Sequence, residues 1–167
     1  HNRVNKRYDE SISDFFMSIE FNSQFYRAYK FIGDNYLRKL DYNKAIDYYN
    51  KAIGIHPEYY NAYYNIGLSF QRLKNHEESI NFYKKSIEIN PSYESAYLNL
   101  VALILEEEPK IVDEMNSLGT SRADNAKYSV LKKKREALYT ECVPILKKLI
   151  ELNKDEEAIR TLINIYG

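Results

Sequence analysis

Tyr29-Lys-Phe-Ile32-Gly33 and Tyr63-Tyr-Asn-Ile66-Gly67 are the stretches whose reading decides the fold. They coincide at an offset of 34 residues (67 − 33 = 34). The same offset carries Tyr36 onto Phe70, Ala45 onto Ser79, Tyr49 onto Tyr83, Ala52 onto Ser86 and Pro57 onto Pro91. Gapless agreement of this kind marks an internal repeat. Tyr29, Ile32 and Tyr36 stand at i, i+3 and i+7, one stripe of a first helix. Gly33, beside that stripe, removes a side chain where a second helix must come close. Ala45, Tyr49 and Ala52 stand at i, i+4 and i+7 and form the facing stripe. Small residues flank a large ring there, so two antiparallel helices can interdigitate. Pro57 closes the unit, because it cannot continue one helix yet suits the start of the next.

Composition agrees with helices. Of 167 residues, 44% are hydrophobic and 29% charged, a globular balance, and 5 Gly with 4 Pro are too few for the turns of an all-β fold. The formal net charge of +0 argues against a nucleic-acid partner, which would call for a basic excess. One Cys leaves no internal disulfide, and no apolar run is long enough for membrane insertion. His1 in place of an initiator Met leads us to expect a processed or excised piece. The compartment stays open between cytoplasm and periplasm or cell envelope.

The pattern resembles the tetratricopeptide repeat family: an aromatic-aliphatic-Gly-aromatic first helix, an Ala-aromatic-Ala second helix and a closing Pro. That resemblance implies an all-α, right-handed α-solenoid of antiparallel helix pairs. Residues 26–59 and 60–93 are full repeats, within one domain spanning 1–167. Stepping back by one period, Ser11, Phe15 and Ser18 repeat the second-helix stripe, with Ser23 in the Pro slot. Residues 8–23 are therefore a half repeat, whose first helix is missing or lies in the short stretch before it.

Stepping forward, Tyr97, Leu100, Val101 and Ile104 fill the first-helix slots, but the next second-helix stripe waits until Cys142, Leu146 and Leu149. The repeat at 94–154 thus carries 29 extra residues (142 − 113 = 29), an extended helical hairpin over about 106–141. Its first helix is predicted to run from Ser95 towards Met115 with a kink at Pro109, and to stop at a left-handed Gly119. A long helix capped by Ser121 or Asp124 then reaches Asn153, bent at Pro144. Its predicted stripe includes Tyr128, Leu131, Leu138, Cys142, Ile145, Leu149 and Leu152. Residues 155–167 form a capping helix with Ala158, Ile159, Leu162 and Tyr166 on one side. The protruding pair with Leu118-Gly-Thr-Ser-Arg-Ala-Asp-Asn-Ala-Lys-Tyr128 looks like a subgroup of bacterial repeat proteins, many of them exported to the cell envelope.

The resemblance also implies a function: a non-enzymatic scaffold that binds a protein or peptide on the concave face lined by first helices. Carried over slot by slot, the groove candidates are Arg27, Lys30, Asp34 and Arg38, with Leu37 beside them. From the next repeat come Asn61, Tyr64, Asn65, Leu68 and Arg72, with Gln71. Leu98 and Leu105 follow, with Ser95, Ala102 and Glu106, and the last helix adds Glu157 and Arg160. A ligand with an acidic end and an apolar body would suit this order. The family's carboxylate clamp is matched by Lys30 and Asn65 but not by Asp34, Ser95 and Asn99. Asp34 would repel a ligand carboxylate, so a chaperone co-factor role is not expected. Two alternatives stand beside the scaffold: an oligomerisation or assembly module, and the regulatory segment of a longer protein.

Dedicated chemistry is not expected. Cys142 falls in a packed small-residue slot, and His1, His56 and His76 share no metal-ligand spacing. Lys132-Lys-Lys-Arg135 and Glu106-Glu-Glu108 read as solvated helix faces. No catalytic residue, metal or cofactor is assigned.

Overall fold

Gly33 and Gly67 set how closely the helices pair. In the computed structural model, a Cβ at Gly33 would stand 2.6 Å from Tyr49 Cε1, and one at Gly67 would stand 2.8 Å from Tyr83 Cδ1. Both rings are fully buried, so neither can step aside. The structure describes residues 2–22, 24–153 and 155–166, with backbone alone over 2–4. Its helices are α1 (Asn2–Phe21), α2 (Tyr26–Arg38), α3 (Tyr42–Ile55), α4 (Tyr60–Arg72), α5 (His76–Ile89), α6 (Glu94–Ile104), α7 (Glu108–Asn116), α8 (Arg122–Asn153) and α9 (Glu156–Tyr166). The chain divides into two compact units, His1–Ala96 and Tyr97–Gly167, a finer division than the single span 1–167 read from the sequence. The extra residues give the second unit helices enough to pack on itself.

In the first unit, α2–α3 and α4–α5 are the two helix pairs. Each pair is joined by the same turn. Leu40 and Lys74 adopt φ of 63° and 61°, the left-handed conformation that ends a helix. The Asp41 N–H reaches Tyr36 O at 2.9 Å and Leu40 N–H reaches Leu37 O at 3.0 Å; Asn75 and Lys74 repeat this on Phe70 and Gln71. Asp41 and Asn75 then cap the next helices by accepting from the N–H of Lys44 and Glu78. A non-glycine residue in this conformation costs about 1 kcal/mol, which the carbonyls closed by the turn offset.

Ala45, Tyr49, Ala52, Ala62 and Ile66 form one buried cluster joining the repeats. Tyrosines repeat their contacts with the period. Tyr26 meets Tyr59 edge-on at 4.9 Å and Tyr60 meets Tyr93 likewise at 4.9 Å, while Tyr36–Tyr48 and Phe70–Phe82 both stack. Serine replaces alanine in the second pair without leaving a polar orphan: Ser79 Oγ donates to Gly67 O at 2.8 Å and Ser86 Oγ to Tyr60 O at 3.0 Å. Ahead of the repeats, α1 is one helix beginning at Asn2, so no separate first helix precedes residues 8–21 among those described. Phe15 stacks on Phe31 and Asn35 Nδ2 donates to Ser11 Oγ, which seats α1 on α2. Ser23 lies outside the described residues.

The second unit departs from the expected boundaries twice. The predicted helix from Ser95 to Met115 is interrupted by a short 3-10 turn at Leu105–Glu107, just ahead of the Pro109 at which a kink is expected. Proline clashes with the carbonyl four residues earlier, here Leu105, so the helix stops there and restarts with Pro109 in its first turn. Gly119 is not left-handed, since no described glycine has a positive φ. Instead α7 closes earlier: Ser117 N–H bonds Asp113 O and Glu114 O, and its hydroxyl donates to Glu114 O at 2.7 Å. Ser121 and Asp124 cap α8 reciprocally, each accepting from the other's backbone N–H. The helix then continues through Pro144 to Asn153. Of its predicted stripe, Leu131, Cys142 and Leu149 are buried, whereas Tyr128 is exposed. In α9, Ala158 is buried but Tyr166 is exposed.

Candidate functional site

The repeat separates residues that fold from residues that remain available. On α2 and α4, Ala28 and Ala62, Ile32 and Ile66, and Gly33 and Gly67 are buried at matching slots. The candidate slots alternate with them and stay half-buried or exposed: Arg27 answers to Asn61, Lys30 to Tyr64, Asp34 to Leu68 and Arg38 to Arg72. Helical spacing therefore puts the candidate slots on one face of each first helix while Ala28/Ala62, Ile32/Ile66 and Gly33/Gly67 pack.

Asp34 organises the centre of that face. Lys30 Nζ stands 2.5 Å from its Oδ2, while Tyr49 OH at 2.9 Å and Asn65 Nδ2 at 3.2 Å both donate to Oδ1. Three helices thus converge on one carboxylate. Burial, the Asp34 charge and that hydrogen bond hold the Tyr49 phenol protonated far above the usual range. The equivalent Tyr83 donates to Gln71 Oε1 at 2.7 Å, because the slot of Asp34 holds Leu68 in the second repeat. Lys30 and Asn65, which matched the clamp by sequence, are hence taken up by the protein's own acid.

The remaining candidates of this unit surround the hub. Arg27 opens α2, exposed, with Nε 3.4 Å from Tyr26 OH. Arg38 closes α2 and lines a hollow of about 320 Å³ with Arg7, Tyr8, Ser11 and Asn35. Asn61, Tyr64 and Leu68 are half-buried along α4 and Arg72 is exposed at its end. Tyr64 meets the rings of Tyr83 and Tyr93.

Leu98 and Leu105 belong to the second unit. With Ala102, Leu146, Glu157 and Thr161 they line an open cleft of about 340 Å³ between α6, α8 and α9. A second cleft of about 470 Å³ shares Leu105 and Thr161 with it and is walled by α7. Here Arg135 Nε meets Glu108 Oε1 at 2.7 Å, and Tyr139 OH donates to the same oxygen at 2.6 Å. The Arg135 guanidinium also lies over the Tyr139 ring, 5.0 Å from its centre. Burial pushes the Glu108 carboxyl up, but the hydrogen bonds from Tyr139 and Arg135 and the guanidinium charge outweigh it, leaving it below the usual range. Sequence reading missed this triplet and took both charged runs as solvated. Lys132 and Lys133 are exposed, but Lys134 and Arg135 pair with Glu107 and Glu108 across the hairpin, and Lys127 with Glu114. The antiparallel order of these pairs is the hairpin's register. The spacing of Arg135 and Tyr139 at i, i+4 was the available signal.

The tetratricopeptide repeat profile matches residues 26–59 and, separately, residues 60–93. Residues 26–93 are two tetratricopeptide repeats. The fold of the chain is similar to solved structures of MamA, at 22% identity and a TM-score of 0.64 over 88% of this chain and 69% of that one. A MamA fragment from Desulfovibrio magneticus RS-1 gives 15% identity and a TM-score of 0.59, over 90% of this chain and 69% of that one. The first tetratricopeptide domain of Spaghetti (RPAP3), solved with an HSP90 peptide, gives 21% identity and a TM-score of 0.58, over 86% of this chain and 94% of that one. No curated protein sequence matches the chain.

Core packing accounts for the one thiol. Cys142 is fully buried in the slot of a small residue, and burial, with the Glu141 charge beside it, pushes the thiol up to about 12. A thiol so held is a poor nucleophile at neutral pH. Among the described residues no group of His, Cys, Asp and Glu is arranged to hold a metal ion, and no helix is long and apolar enough to cross a membrane.

Proposed function

We propose that this protein is a non-enzymatic scaffold that binds a protein or peptide through the first-helix faces of its repeats. The observation that carries this reading is the split between slots. On the first helices, Ala28/Ala62, Ile32/Ile66 and Gly33/Gly67 are the same and buried, while the neighbouring surface positions change from Arg27, Lys30 and Asp34 to Asn61, Tyr64 and Leu68. Folding alone does not require that variation, whereas recognition of one particular partner does. The Asp34 hub refines the ligand. With the Lys30 charge paired and an Asn65 N–H engaged by Asp34, the α2–α4 face offers apolar and amide contacts at Tyr64, Leu68 and Asn61, edged by Arg27 and Arg72. It suits an apolar segment with flanking acidic residues better than a chain-terminal carboxylate gripped at the centre.

Affinity capture with the immobilised protein tests this, comparing wild type with Leu68→Lys and with Arg27→Glu combined with Arg72→Glu. All three sites are solvent-accessible, so helicity by circular dichroism should not change. A partner retained by wild type and lost by both variants supports the reading. Equal capture by all three proteins defeats it.

A second reading, assembly, draws on exposed apolar side chains of α1, namely Phe16, Met17 and Phe21. Sedimentation velocity over a concentration series decides it. A constant monomer mass removes assembly through α1.

A further inference from the structure

The clefts of the second unit differ in charge from the α2–α4 face. Together they are lined by Leu98, Leu105, Val112, Leu146 and Ile165 among other apolar residues, and they adjoin at Leu105 and Thr161, which line both. Their volumes lie in the range of pockets that accept side chains or small ligands. Arg135 is the one cation in the described lining, and it is already paired with Glu108 and stacked on Tyr139. Asp113 and Glu157, exposed at the groove, have no ion-pair partner among the described residues. The lining is therefore apolar with a net negative charge.

We propose that this groove docks a basic, apolar segment of a partner protein. Leucine-like side chains lie against Leu98, Leu105 and Leu146, and Lys or Arg side chains meet Asp113 and Glu157. The proposal rests on the scaffold reading above and gives its second unit a ligand class. Charge complementarity selects the occupant, because an acidic segment would face two unpaired carboxylates with no free cation to answer it. The Glu108–Arg135–Tyr139 triplet stiffens the wall and keeps its guanidinium from competing with the ligand's cations. Sequence-based carry-over of the groove pointed instead to a ligand with one acidic end, because it took no account of which charges the fold pairs.

The test uses two fluorescein-labelled peptides of equal length, one alternating Lys and Leu, the other Glu and Leu, followed by fluorescence anisotropy with the whole chain. Wild type should favour the Lys–Leu peptide by about tenfold or more at low salt. Asp113→Lys with Glu157→Lys should reverse that preference. Ala102→Trp, which fills the groove from an exposed position, should weaken the Lys–Leu peptide. No preference in wild type, or an unchanged preference in the double variant, overturns the proposal. Binding lost in Leu68→Lys but kept in Ala102→Trp overturns it too, while leaving the scaffold reading standing on the α2–α4 face. Sedimentation showing dimers that exclude the peptide would put a second copy in the groove and overturn it as well.

Discussion

The repeats at 26–59 and 60–93 share a skeleton and differ in wiring. Both place a glycine under a buried tyrosine ring, both close their first helix with a left-handed residue, and both cap the second helix with a short polar side chain. In the first, that tyrosine reaches a charged hub, Asp34, which also binds Lys30 and Asn65. In the second it reaches the neutral Gln71, and serines stand where the first has alanines. The lesson is that a repeat fixes shape by volume and leaves polar partners free to change, provided each buried donor finds an acceptor.

The strongest way to break the shared skeleton is to fill the glycine slot. Gly33→Leu should destabilise the protein by about 3 kcal/mol in urea unfolding, and Gly67→Leu similarly, because neither ring has space to move. Near-wild-type stability in either would mean the helix pair tolerates a wider spacing.

Polar wiring should matter less, and unequally. Tyr49→Phe should cost about 1.5 kcal/mol, since it removes a hydrogen bond to a charged group, and Tyr83→Phe about 1 kcal/mol, since its acceptor is neutral. Equal losses would show that Asp34 gives the first repeat no special hold. The Tyr49 phenol is also raised in the folded state, so its contribution is complete below its ordinary value of 10.0 and is lost as pH rises above it. In alkaline titrations, stability should therefore fall less steeply for Tyr49→Phe than for wild type.

The smallest effect should come from making the repeats alike. Ser79→Ala gives the second repeat the alanine of the first and should change stability by less than about 1 kcal/mol, because the Gly67 carbonyl keeps its helical bond. A larger loss would make that serine a structural requirement and not a tolerated substitute. Gly54, by contrast, has open space around it, and Gly54→Ala should stabilise α3 by about 0.5 kcal/mol.

Much of the first unit was legible because its signals are local and doubled. Gly33 read as the place where a second helix comes close, and the structure puts the Tyr49 ring there, with Tyr83 on Gly67 one period later. The second unit was less legible. The break at Leu105–Glu107 depends on where the Pro109 ring strikes the chain, and Gly119 gave a stop signal that Ser117 made unnecessary. For the candidate surfaces, the sequence named Lys30, Asp34 and Asn65 individually without showing that they bind one another. It also set aside Glu108 and Arg135 as solvated.

The sequence by itself determined that this protein is built of helix pairs, where the two full repeats begin and end, and which of their side chains face inward. Those properties follow from the period of side-chain volume along the chain, which is a one-dimensional quantity. Only the tertiary structure decided which charges remain available to a partner. Asp34 takes Lys30 on its own helix and Asn65 from α4, and Glu108 takes Arg135 from across a hairpin, while Asp113 and Glu157 have no ion-pair partner among the described residues. Apart from the Lys30–Asp34 pair at i, i+4, such choices depend on distances of a few ångströms between residues far apart in sequence, and no spacing along the chain encodes them directly.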